Sequence, residues 1–600
     1  MARPAVSNWL FNSVDSAVAQ EHASWGTQLL DDSTSDAELP GFGQLTDVAA
    51  LPLEGTRPRD LSHTDPAEQP PAYDPHAELF AKQRHPSARD CAACHQQIFD
   101  EWSVSGHAYA AISPMYHRLA DTLTSCTSGP LNAACNRCHA PATANSNEQR
   151  PDPSILTQPS VALEGVTCVA CHRPLTAGDE PKIAIAPPPP GAAIIATAAH
   201  SDPPLQFPIQ FETVAESEFC VSCHQVAVYP DVTIPLMWNQ YCASPAAKEG
   251  TTCQDCHMGQ VPGVANGYAT APVAVIEGRP VDVGRKHSNH IFFGPSYSIA
   301  HPGVFPIGSA PSRWTTEQWL QFDWRAGWGS EPFEQQIASM PAPPAFPSGW
   351  TTADERRAGY QLVLQNLNLL NQQRTLRRQL LESTSQVRGP LFSSTPTPSR
   401  PLSFEYVVSN LNAGHSFPAG SLDARPLLWL NVVLTGPNGE HLWESGYLDN
   451  QGNLADEHSE DVANGRLARD DELTQFRTRF VTTADDGSDH EMLLPLPPNW
   501  LSHLATPTGS SLSAPFSLSR PLLIRPEPQS IPPLGNVNAR FRIPASALSQ
   551  PGRYRLSARM RHQSSAIHYM NMCRATPEMT RNMLEGSLDF HQQSFEFDVK

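Results

Sequence analysis

The sequence predicts an α+β multidomain protein, a mainly helical and irregular part followed by an all-β, immunoglobulin-like sandwich. Three observations predict it. The pattern C-x-x-C-H occurs five times between Cys91 and His257. Apolar residues recur at helical spacing between residues 312 and 383. Beyond residue 400 the apolar period falls to two, with Gly and Pro turns between short runs. The expected division is an extended arm over 1–86, the domain carrying the repeats over 87–260, a helical extension packing on it over 261–388, and the sandwich over 400–600.

The repeats are Cys91-Ala92-Ala93-Cys94-His95, Cys135-Asn136-Arg137-Cys138-His139, Cys168-Val169-Ala170-Cys171-His172, Cys220-Val221-Ser222-Cys223-His224 and Cys253-Gln254-Asp255-Cys256-His257. Composition alone would give about 0.01 copies, so the pattern is specific. Two thiols at this spacing reach the two vinyl groups on one edge of a porphyrin, and the adjacent His gives its imidazole to the iron. Structural zinc also uses C-x-x-C pairs, but it takes them in twos and has no need of a His after each second Cys. The implied cofactors are therefore five c-type haems, with His95, His139, His172, His224 and His257 as proximal iron ligands.

The stretch from Cys91 to His257 is 167 residues, about 33 per haem. That is too short for an ordinary apolar core, so the porphyrins themselves are expected to form it. Some 340 residues follow His257, enough for one or two conventional domains. Asp and Glu outnumber Lys and Arg by 60 to 40, a net charge of −20. That disfavours nucleic acid and favours redox partner proteins or a polar redox substrate. Fifty-nine prolines suit long stiff irregular connections. Covalent haem is attached outside the cytoplasmic membrane, which predicts a periplasmic or extracellular protein. There two of the three remaining cysteines, Cys126, Cys242 and Cys573, could form a disulfide. No apolar run is long enough to be a transmembrane segment. Met1 to Leu10 has no basic and apolar export pattern, so the export signal is expected to be missing from this chain.

In chain order, residues 1–86 read as a polar arm in which Trp9, Leu10, Phe11 and Trp25 could anchor a short helix. Gln96 to Thr124 reads as one helix after the first motif. Residues 183–210, with Pro187 to Pro190, read as a linker, and 258–285 as loop and short strand. Thr352 and Glu355 form a capping box that opens a helix with Val363, Leu367 and Leu370 on one face. Trp314, Trp319, Trp324 and Trp328 are expected to pack on haem faces or on this helix. Gly389 to Pro401 reads as a linker. Candidate strands follow at 402–409, 427–434, 442–447, 475–482, 538–543, 553–561 and 594–599, with 484–535 as a long Pro-rich insertion.

Function turns on the sixth ligand of each iron. A second His gives a closed centre for electron transfer, and an open position can bind a small molecule. His107 stands among small residues that let a porphyrin approach. His290 has an aromatic setting, and His415 lies in a loop between two strands. These three are the candidate distal ligands. His117, His287, His562 and His568 form a second set, and His85 and His200 a third.

Cys91 to His95 followed by Trp102-x-x-Ser105-x-His107-Ala108 resembles the multihaem cytochromes related to the tetrahaem cytochrome of ammonia-oxidising bacteria. Gly165-Val166-Thr167 before the third motif, His290-x-Phe292-x-Gly294 and Gly414-His415-Ser416-Phe417-Pro418-x-Gly420 fit the same group. The resemblance covers roughly residues 85–435. It implies closely stacked haem pairs, mostly with bis-histidine ligation, and supports His107, His290 and His415 as distal ligands. The group holds carriers and enzymes alike, so it does not settle function. All five motifs end in His, unlike the pentahaem nitrite reductases with their one C-x-x-C-K. The extra haems of the octahaem hydroxylamine oxidoreductases are lacking too. Both departures weigh against an enzyme. The first reading is an electron-transfer protein with five haems. The alternatives are an oxidoreductase with one open haem acting on a small nitrogen or sulfur compound, and a subunit of an extracellular haem filament or surface conduit, a homo-oligomer.

Overall fold

The structure, a computed structural model, describes residues 79, 82, 86–127, 132–141, 160–172, 174–176, 181–185, 212–224, 226–229, 232–234, 237–296, 299, 301–304, 313–419, 426–483, 489–491 and 524–600. The expected arm with Trp9 to Trp25, the Pro187 to Pro190 linker, His85 and His200 lie outside the described residues, as does the side chain of Cys126.

The motif-bearing part is built of short helices. They are α1 (Ala88–Ala92), α2 (Gln96–Ser103), α3 (Gly106–Tyr109), α4 (Pro114–Thr127), α5 (Asn132–His139), α6 (Cys168–His172), α7 (Ser217–His224), α8 (Met237–Cys242), α9 (Pro245–Glu249) and α10 (Cys253–His257). The single helix expected over 96–124 is therefore three. Ser105 accepts from Ala108 N as the N-cap of α3, and Pro114, which has no N–H to give, opens α4. Capping boxes start α1 (Ser87 with Asp90) and α10 (Thr252 with Asp255), so two motif-bearing helices have fixed beginnings. Short hairpins join them: β1 (Pro174–Thr176) with β2 (Pro181–Ile185), β3 (Val226–Tyr229) with β4 (Val232–Ile234), β5 (Ala269–Thr270) with β8 (Lys286–His287), and β6 (Ala274–Ile276) with β7 (Arg279–Val281). Cys242 is exposed and Cys573 buried.

The extension holds α11 (Thr316–Leu320), α12 (Glu331–Ser339) and the 32-residue α13 (Ala353–Thr384). Thr352 and Glu355 cap α13 as expected, and Val363 and Leu370 are buried while Leu367 is half-buried. The tryptophans gather round Trp350 and Phe322. Trp314 stacks on Trp350 at 4.6 Å between ring centroids, and Trp319 lies 5.0 Å from it. Trp350 in turn lies against Gly359 of α13, where a Cβ would come within 2.7 Å of the indole. Beneath this cluster Arg356 pairs with Glu334 at 2.5 Å, the two side chains only 3% and 2% exposed.

α13 runs straight into β9 (Ser385–Phe392), which overturns part of the linker expected from Gly389: its backbone pairs with β10 (Leu402–Asn410) despite Pro390. The remaining strands are β11 (Leu427–Thr435), β12 (His441–Ser445), β13 (Thr474–Phe476), β14 (Thr478–Thr483), β15 (Asp489–Glu491), β16 (Ile524–Pro528), β17 (Asn536–Ile543), β18 (Gly552–Gln563) and β19 (Leu588–Val599). One antiparallel sheet has the order β17-β10-β9. A second runs β12-β11-β18-β19, with β13 also on β11. Alternate residues of β10, β17, β11, β18 and β19 share one core, Tyr406, Phe541, Leu430, Leu556 and Phe590 among them. The expected insertion is not free of structure, because β15 and β16 both pair with β14. Two unexpected helices, α15 (Ile567–Met572) and α16 (Pro577–Glu585), separate β18 from β19; α14 (Glu460–Ala463) is a single turn.

The two halves are pinned by arginines. Arg325 binds Glu578, Glu585 and Asn582 of α16. Arg374 of α13 donates to the carbonyls of Glu585 and Ser587, and Arg377 to those of Pro295 and Gly586. Among the described residues no helix is long and apolar enough to cross a membrane.

Candidate haem centres

In four of the five motifs the His is the last residue of its helix, and in the first it stands between α1 and α2. One helical turn brings the two cysteines of a motif to the same side. All ten are half-buried. The first and third motifs meet at Glu164, which accepts from the Ser87 hydroxyl and Ala88 N before the first and from the Thr167 hydroxyl before the third. The fourth and fifth meet where Cys253 N donates to the Ser217 hydroxyl and the Gln254 amide donates to the carbonyls of Val214 and Glu216.

Three of the motif histidines are oriented by carbonyls. Nδ1 of His95 lies 2.7 Å from Val273 O, that of His139 3.2 Å from Ala110 O, and that of His257 2.5 Å from Phe293 O. Nδ1 donating to a carbonyl leaves the Nε2 lone pair for a metal. The ring of Tyr116 stacks on His139 at 4.2 Å, with its hydroxyl donating to Asn136.

Each of the three candidate distal residues is set opposite a motif histidine. His107 and His224 are 6.1 Å apart between ring centroids, His290 and His172 6.3 Å, and His415 and His257 6.2 Å. Imidazole nitrogens sit about 2.0–2.1 Å from a bound metal, which places two ring centres across one metal at about 6.3 Å. Packed imidazoles are much closer: His458 and His568 stack at 4.0 Å. The residues thus fit a haem iron held between two histidines, in three separate places. Burial pushes His107 down to about 3 and His290 and His415 down to about 4, and lowers His257 as well. The neutral imidazole, the form that ligates, is therefore the resting form.

The sequence around each distal residue explains its placement. The Trp102 indole donates to Val166 O, and Val166 N donates to His107 O, so the Trp-x-x-Ser-x-His stretch is sewn to the residues before the third motif. Gly165 sits against the same carbonyl at φ +61°, where a Cβ would come within 2.3 Å of His107 O. His290 Nδ1 is 2.7 Å from Ser288 O, and its backbone N donates to Glu101. His415 Nδ1 is 2.9 Å from Ser416 O. Its loop is braced by Asn410, whose amide donates to the carbonyls of His415, Ile531 and Pro532, and docks on the helical part through Gln240 and Ala246.

The second set faces other groups. His117 Nε2 is 2.8 Å from Ala111 O, His287 Nε2 is 2.7 Å from Glu101, His562 is buried beside Arg377, and His568 stacks on His458. Sequence reasoning missed Glu101, Glu164 and Asn410. Their partners lie far along the chain, and the one local signal is that Glu164 and Glu101 each stand within a few residues of a motif element.

No curated protein matches the chain. A solved structure of Pseudomonas fluorescens alkylpurine DNA glycosylase AlkC, bound to DNA containing an abasic site analogue, aligns at 8% identity and a TM-score of 0.12. The alignment covers 49% of this chain and 48% of that one, so it spans about half of the glycosylase, and at that score it carries no argument. Residues 90–173, which hold the first three motifs, match the family of cytochrome c554 and c-prime, and the match supports haem-based electron transfer by a c-type cytochrome.

Proposed function

We propose that the chain is a pentahaem c-type cytochrome that transfers electrons outside the cytoplasm. The observation that carries this reading is the set of three opposed imidazole pairs at 6.1–6.3 Å, each containing one C-x-x-C-H histidine. In it the ten motif cysteines hold five haems covalently, and His95, His139, His172, His224 and His257 are the proximal ligands. His107 closes the fourth centre, His290 the third and His415 the fifth. When bound, each haem supplies a one-electron iron couple. The chain fixes the imidazoles, keeps them neutral by burial and brings the first motif to the third and the fourth to the fifth. A bis-histidine site is already full, which favours carrier over enzyme for these three centres. The last 200 residues form an immunoglobulin-like sandwich whose role includes delivering His415.

The test is haem content by intact mass together with low-temperature EPR of the oxidised protein. Five covalent haems are expected. His107→Ala, His290→Ala and His415→Ala should each turn one low-spin haem high-spin without changing haem content. Fewer than five haems, or wild-type spectra from all three variants, overturns the assignment. A high-spin signal in the wild type that shifts with cyanide or nitrite would move one centre to the oxidoreductase reading.

A further inference from the structure

Glu164 ends the 3-10 turn Ser160–Glu164 and is only 5% exposed. A carboxylate buried to that degree is costly unless its oxygens are satisfied. Here they are, by three donors from two places. The Ser87 hydroxyl and Ala88 N–H donate to its two oxygens from 77 and 76 residues away, the latter at 2.8 Å. The Thr167 hydroxyl donates at 2.9 Å. Ser87 is the N-cap of α1, which carries Cys91, and Thr167 directly precedes Cys168 at the start of α6. One side chain thus grips the beginnings of the first and third attachment helices. Cys91 and Cys168, the first cysteines of the two motifs, lie on those two helices within reach of its charge. The next two residues carry the grip further, because Gly165 and Val166 hold the carbonyl of His107.

We infer that Glu164 is the positioning residue that fixes the first haem centre against the third, and that its buried carboxylate lowers the reduction potential of both. This rests on the haem reading above. A fixed negative charge favours the ferric state, which is one charge more positive than the ferrous. Burial pushes the Glu164 carboxyl above its ordinary value, and the three donors to its two oxygens work the other way, in favour of the ionised carboxylate. The cation that acts on it, Arg89, is exposed and screened by solvent, so it offsets little of the carboxylate's charge.

Two substitutions in the full holoprotein separate charge from grip. Glu164→Gln keeps the shape and removes the charge: the midpoint potentials of two haems should rise in an optical redox titration while the other three stay in place. Glu164→Asp keeps the charge and shortens the reach: the potentials should hold, and the magnetic coupling between two ferric haems in the EPR spectrum should change. Unshifted potentials in Glu164→Gln together with wild-type coupling in Glu164→Asp overturn the inference. If either variant is poorly produced, Thr167→Val removes one donor, leaves the negative charge less compensated, and should shift the same two haems downward. Intact mass of the wild type keeps the two failures apart, since a chain without five haems sinks the haem reading, whereas five haems with unmoved potentials sinks only the role of Glu164.

Discussion

A histidine's surroundings decide whether it is held neutral or charged, and this chain does both. The candidate distal histidines have backbone carbonyls or aromatic rings as neighbours, and burial keeps them neutral. His458 is different. Burial works against its charge, but the carboxylates of Asp456 at 3.1 Å and Glu491 at 3.4 Å outweigh it and raise it to about 9. A raised folded-state value means stability that is fully present below the unfolded value near 6.5 and lost as pH rises through about 9. A shift of that size is worth at most about 3 kcal/mol. Denaturant midpoints should therefore fall between pH 7 and pH 10 by more in the wild type than in His458→Gln. Equal slopes in the two proteins would remove the ion pair from the stability of the β part. The residues that sequence makes legible are those fixed by covalent spacing, such as Cys91, Cys94 and His95. Those it hides, such as Glu164 and Asn410, act on partners 76 and 121 residues away, and no local pattern encodes that.

At the level of elements, periodicity was a good guide where one face meets one core. The strands expected from 402, 427, 538 and 553 stand within a few residues of their observed starts because their apolar faces share a single core. It failed where side chains do not set the pairing. β9 carries Gly389 and Pro390 and was hidden among turn-forming residues, yet its backbone completes the edge of the β10 sheet. The expected helix over 96–124 failed for the opposite reason: capping at Ser105 and the proline at 114 break a stretch that is otherwise helical. α13 shows what a long helix here rests on. Its first turns are anchored by Arg356, which also donates to the carbonyls of Trp350 and Thr351. Replacing it by alanine leaves Glu334 buried and unpaired at a cost of about 3–5 kcal/mol. Arg356→Ala should lower the thermal midpoint sharply, and Arg356→Ala with Glu334→Leu should recover much of the loss. A double variant as unstable as the single one would show that stacking of the guanidinium group on Phe346, its Cζ 3.8 Å from the ring centroid, carries the stability instead.

On the scale of the whole molecule, the β part is tied to the helical part twice. It sets His415 opposite His257 of the fifth motif, and its helix α16 is clasped by Arg325. The two attachments lie on different elements, so straining one reports on the other only if the β part moves as a unit. Arg325 is 21% exposed and its partners Glu578 and Glu585 are 15% and 49% exposed, so solvent discounts the pair. Removing it should cost about 1 kcal/mol, below the range of about 1.5–3 kcal/mol for a buried hydrogen bond to a charged group. Arg325→Ala should therefore leave the chain folded with all its haems while loosening the seam. The expected signature is selective: the fraction of high-spin iron rises on warming at the centre that depends on His415. The centres served by His107 and His290, whose ligands come from the helical part itself, stay low-spin over the same range. The measurement is EPR on samples frozen from a temperature series, with His415→Ala as the reference for that centre's fully high-spin signal. If all three centres loosen together, the clasp stabilises the haem part as a whole. If none responds, the His415 loop is held by Asn410, Gln240 and Ala246 without help from the seam.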